Sequence, residues 1–214
     1  MNNYENEIKE LYEKMIKNFS SINSSLKEFE FESENEYKKI NNTYFLIIKE
    51  HYKAFLLLIG DKSYPSAFVL ARTILETFVK SMYLEYIGKP KNKSVNNFLI
   101  EKNKFPSLFD MAKKLEAYTH PSGAKFDGFF KQFLKEELAT YEKLSFLSHS
   151  RGKYIQKFYE QGSVDISSKD IHAVMNFMNR MFISSALFHL FIFEYLEETK
   201  KFTMLYQKDL ISQS

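Results

Sequence analysis

An all-α fold follows from three features of the sequence. Gly (6) and Pro (4) are sparse across 214 residues, which is too few for the turns of an all-β domain. Apolar residues return every three or four positions over long stretches, the period of a helix face. The two most apolar stretches end at helix-stopping residues, Gly60 and then Gly88 before Lys89-Pro90. The expectation is a single domain over 1–214, an antiparallel helical bundle with four to five long helices, two short helices and an irregular segment near 152–168.

The first element is an amphipathic helix over residues 1–31, with Tyr4, Ile8, Leu11, Met15, Phe19, Ile22, Leu26 and Phe29 on one stripe. So narrow a stripe either lies along its own bundle or pairs with another chain. The second helix spans about 34–59, with Ser33 as N-cap, Glu36 three residues on and Gly60 past its end. Its second half is apolar on most sides. The third helix runs from Tyr64 to Gly88, accepts Pro65 in its first turn and returns antiparallel to the second. It is the expected centre of the fold.

A lysine-rich linker follows, which reads as solvated because lysine is abundant throughout. Residues 95–104 suit a short helix, and Pro106 opens another to about Tyr118. Residues 119–125 (THPSGAK) form a loop by composition. A fourth long helix is expected from Phe126 to about His149. Residues 152–168 break the helical period, which suggests an irregular excursion with a short strand pair. Ser168 is placed as the cap of the last long helix, to about Thr199. The tail over 200–214 is expected to dock through Phe202, Met204 and Leu205.

Composition also removes function classes. Without Cys there is no disulfide, thiolate metal site or cysteine nucleophile. The polar N-terminus (MNNYENEIKE) is unlike a signal peptide, and the most apolar run, Met181 to Phe193, is shorter than the ~20 residues a bilayer needs. A cytoplasmic protein with no membrane partner is the expectation. A net charge of +3 permits nucleic-acid binding without implying it. No His pair has metal-ligand spacing, and no phosphate-binding glycine loop or nucleophile elbow occurs, so neither a metal nor a cofactor is expected. His51 and His189, in apolar helix interiors, read as satisfied core residues.

Two stretches can carry chemistry. Arg72, Glu76 and Lys80 stand four residues apart on one face of the third helix. They are either a solvated ladder or, given their apolar neighbours, a desolvated set that needs further partners. Arg72, Arg151 and Arg180 are the only arginines among thirty basic residues, and a guanidinium keeps its charge and fork geometry where lysine would not. The second stretch is Tyr141 to Gly152, in which Ser145, Ser148 and Ser150 surround His149 and Arg151 follows. His149 is either a helix-end dipole contact or a residue titrating near neutrality as acid or base.

The two stretches together resemble a bacterial family of uncharacterised all-helical proteins, through Ser66, Ala67, Leu70, Arg72 and Glu76, then Tyr141, Leu144, Ser145 and His149. More distantly, KLSFLSHS is similar to the Arg-x4–6-His motif of the HEPN superfamily, helical nucleotide-binding and ribonuclease domains of toxin–antitoxin and phage-defence loci. His149 falls on the motif histidine, Ser145 on its asparagine, and Leu144, beside Lys143, on its arginine. The resemblance implies a defence or toxin-type domain binding RNA or a nucleotide, with metal-independent ribonuclease activity as its catalytic form. It also implies a homodimer and an antitoxin or defence partner. On that reading His149, Arg72 and Glu76 are the catalytic candidates, with Arg72 or Arg151 replacing the motif arginine. Arg151, Ser145, Tyr141 and Lys80 are the ligand-binding candidates. The alternative is a non-enzymatic interaction module in which Arg72, Glu76 and His149 form a buried polar network and the N-terminal stripe is the working surface.

Overall fold

The computed structural model describes residues 3–121, 123, 125–128, 130, 144, 152–162 and 164–210. Among these residues all regular structure is helical, and the only other pairing is a single antiparallel bridge between Thr119 and Lys125. The order is α1 (Asn3–Leu26), α2 (Glu36–Gly60), α3 (Tyr64–Tyr83), a π-turn (Leu84–Gly88), a 3-10 turn (Lys89–Lys91), α4 (Val95–Leu99), α5 (Leu108–Glu116), α6 (Gly152–Gln161), α7 (Ser168–Ile192) and α8 (Leu196–Leu210). None of these helices is long and apolar enough to cross a membrane.

The α2–α3 hairpin forms as expected and is the most extensive helix pair. The hub, however, is α7, which packs on α1, α2, α3 and α8 and buries Phe177, Phe182, Ile183 and Leu190 among others. α3 faces α2 and α5 as well as α7. The α1 stripe turns inward: Met15 and Ile22 are fully buried and Phe19 lies against Tyr52 and Phe182. Within one chain, then, that stripe packs on its own body.

Several boundaries differ from those expected. Asn35, not Ser33, caps α2, its Oδ1 accepting from the Tyr37 and Lys38 amides at 2.9 and 3.2 Å. Ser33 Oγ instead accepts from the Asn35 amide. Gly60 is the last residue of α2 rather than the residue past it, and Lys62 takes the left-handed conformation at φ 60°. A Cβ at Gly60 would come within 2.4 Å of the Tyr12 hydroxyl, so glycine there accommodates α1. Ser167, one residue before the expected Ser168, caps α7 and exchanges hydrogen bonds with Asp170.

The segment expected to be irregular over 152–168 is instead helical from Gly152 to Gln161. No breaker lies between Gly152 and Gly162, a Gln156–Glu160 hydrogen bond spans one turn, and Gly162 ends the helix at φ 68°. Ile155 and Tyr159 stay exposed, which is why the helical period is hard to see. The last long helix does not reach Thr199. It stops at Ile192, and Glu194 at φ 66° reverses the chain into α8. α8 docks through Tyr206 and the half-buried Phe202, whereas Met204 and Leu205 are exposed. Residues 126–128 form a turn with Gly128 at φ 81°, so no helix starts at Phe126. The rest of the fourth expected helix lies outside the described residues, apart from Phe130 and the helical Leu144.

Candidate functional site

α3 carries the first candidate cluster because helical spacing puts Arg72, Glu76 and Lys80 on one face. Arg72 Nε donates to Glu76 Oε1 at 2.8 Å, with the two side chains 12% and 30% exposed. Each also makes a further interaction beyond this pair. The ladder does not continue to Lys80, whose ammonium sits over the Phe105 ring, 5.6 Å from its centroid. Arg72 and Glu76 therefore form a half-buried pair and Lys80 a separate cation–π contact.

His149, Arg151, Ser145 and Tyr141 lie outside the described residues. Leu144 is described, and it is a fully buried member of the main core. Leu144 is therefore an apolar packing residue.

Other polar groups are organised between helices. Asn18 Nδ2 donates to Asn179 Oδ1 at 3.1 Å, and Asn179 Nδ2 to Asp209 Oδ1 at 3.3 Å, tying α1, α7 and α8 together. Lys14 also pairs with Asp209. Between α2 and α3, Ser81 Oγ donates to Asn41 Oδ1 at 2.6 Å and Asn41 Nδ2 to Glu85 Oε2 at 3.1 Å, with Lys89 closing the set on Glu85. These pairings satisfy buried amides and fix the register of neighbouring helices. The Tyr52 hydroxyl has no hydrogen-bond partner, and burial, with Asp209 nearby, holds its pKa well above the ordinary phenol value.

His189 is where sequence reasoning fell short. It is a core residue, 2% exposed, but not a satisfied one: neither ring nitrogen has a hydrogen-bond partner. Its ring stacks on Phe45 at 4.3 Å and 12° and meets Phe31 at 4.2 Å. Burial, and secondarily the charge of Lys49, lower its pKa from 6.5 to about 3. It therefore stays neutral at physiological pH, with one N–H to donate and one lone pair to accept. The apolar setting of His189 was visible in the sequence, but its lack of partners was not.

Among the described residues, two cavities of more than 300 Å³ open near the hub. One, of about 360 Å³, is lined mainly by Phe78, Met82, Met181 and Phe188 with Arg180 at its edge. The other, of about 320 Å³, is a groove walled by α1 and α2 with His189 of α7 in its lining. Arg72, Glu76 and Lys80 line neither. No group of three or more His, Asp or Glu able to hold a metal ion occurs among the described residues.

No curated protein and no solved structure matches the chain. A family model described as a family of unknown function, DUF6988, matches residues 45–208. That span holds α3, α7 and most of α2.

Proposed function

The chain belongs to this family, DUF6988, and we propose that it is a bacterial defence or toxin-type helical domain that binds RNA or a nucleotide through Arg72. The observation that carries this reading is the Arg72–Glu76 pair, a guanidinium held at 2.8 Å through Nε on a helix with a largely buried surround. A guanidinium keeps its charge and its planar fork, the geometry that recognises phosphate. Partial burial strengthens that attraction relative to a surface lysine. Arg151 would add a second phosphate contact, and Ser145 and Tyr141 hydrogen bonds to the ligand. His149 would be the acid or base of a metal-independent ribonuclease. In this reading a second copy of the chain completes the cleft, and an antitoxin or other defence protein is the partner.

The test is incubation of the purified protein with total RNA beside His149→Ala and Arg72→Ala. Ribonuclease activity requires cleavage that disappears in His149→Ala. Binding without chemistry requires RNA retention that disappears in Arg72→Ala alone.

A second reading is favoured by the interhelical Asn18–Asn179–Asp209 and Asn41–Ser81–Glu85 sets. In it the chain is a non-enzymatic interaction module whose polar groups, Arg72 and Glu76 included, serve packing alone. An inert wild type with a strongly destabilised Glu76→Ala supports that reading.

A further inference from the structure

We propose that the groove between α1 and α2 is a binding site for a small organic anion with an aromatic body, separate from the Arg72 face. α1 packs mainly on α7 and α2 mainly on α3, and the two touch each other less, which leaves the groove between them. Its apolar walls include Phe31 and Phe45, and its volume of about 320 Å³ lies in the range of small-molecule sites. Three cations, Lys27, Lys49 and Lys53, line it against one carboxylate, Glu50. On α2, Lys53 neighbours both Lys49 (i, i+4) and Glu50 (i, i+3) by helical spacing. That charge balance selects an anion, and the aromatic walls select a flat apolar body.

The independent observation is His189. It lines the groove, is 2% exposed, and has no hydrogen-bond partner at either nitrogen. Native proteins pair nearly all their buried polar groups, so an orphaned imidazole on the wall of a charged groove marks a polar contact for a ligand. The arrangement is complementary: aromatic rings for the body, a neutral donor–acceptor for a polar ring atom or anionic oxygen, and lysines for the charge. An aryl carboxylate and a nucleoside phosphate share this chemistry.

Isothermal titration of the full chain separates the sources, using 2-naphthoate, adenosine 5′-monophosphate, uncharged 2-naphthamide and inorganic phosphate. The expected result is saturable binding of at least one of the two aromatic anions, at least about tenfold tighter than the amide and phosphate. His189→Phe, which keeps a flat ring among Phe31, Phe45 and Phe193, and Lys49→Gln should each weaken that binding about tenfold or more. Lys91→Gln, on the exposed 3-10 turn, should leave it unchanged. Binding of neither aromatic anion overturns the proposal, as does phosphate binding equally well. Affinity indifferent to His189→Phe and Lys49→Gln overturns it too. Binding of adenosine 5′-monophosphate that survives His189→Phe and Lys49→Gln but is lost in Arg72→Ala belongs to the Arg72 face and overturns the groove proposal, whereas Arg72-dependent RNA binding fails or holds on its own assay.

Discussion

His189 is enclosed by Phe31, Phe45 and Phe193, so protonating it would place a charge in an apolar shell. Its folded pKa, about 3, lies below the ordinary 6.5. Between those values the unfolded chain takes up a proton that the folded chain refuses. The stability contributed by the neutral ring is therefore full above about pH 6.5 and is lost as pH falls toward 3, by up to about 1.4 kcal/mol per pH unit. His189→Phe should remove this component. Urea unfolding at pH 7, 6, 5 and 4 should show wild type losing stability more steeply than the variant, and parallel profiles would contradict the assignment. At the same scale, the Arg72–Glu76 pair was legible from i, i+4 spacing, whereas the departure of Lys80 to Phe105 was not. A cation–π contact depends on where a loop residue 25 positions later folds back, and spacing on one helix carries no such information.

At the scale of elements, the α7–α8 junction shows what the sequence conceals. Residues 168–199 read as one helix because no Gly or Pro interrupts them. The break comes from tertiary packing. Tyr195 packs against Phe29 and Phe31, its hydroxyl donates to the Glu30 carbonyl at 2.9 Å, and its amide reaches back to the Leu190 carbonyl. Together these hold Glu194 at φ 66° in a Schellman-type end. A non-glycine residue strains to adopt that conformation, and the Lys38–Glu194 pair, with its carboxylate largely exposed, offsets little. Glu194→Gly should raise stability by about 0.5–1 kcal/mol, read as a higher urea midpoint with unchanged slope. A lower midpoint would mean that the side chain itself holds the turn. By contrast α2, α3 and α5 were legible because their apolar period is helical and Gly or Pro stands near their ends, even though the cap of α2 falls on Asn35 rather than Ser33. α6 was missed because its described apolar residues, Ile155 and Tyr159, face outward.

For the molecule as a whole, the all-α class and the α2–α3 hairpin were readable from composition and period, since both are local properties. The role of α7 as hub was not, because every long apolar helix looks equally central in sequence. The candidate site was legible only in part: Arg72 and Glu76 pair as their spacing indicates, while the orphaned His189 and its groove arise from three elements far apart in the chain. The proposed function makes Arg72 the phosphate-recognising group of an RNA- or nucleotide-binding domain. The direct measurement is a fluorescence-anisotropy titration of labelled single-stranded RNA with wild type, Arg72→Ala and Arg72→Lys at two salt concentrations. The account predicts affinity lowered about tenfold or more in Arg72→Ala, only partly restored by Arg72→Lys, with a shallower salt dependence in Arg72→Ala. RNA binding that is absent in wild type, or equal in all three proteins, would contradict it.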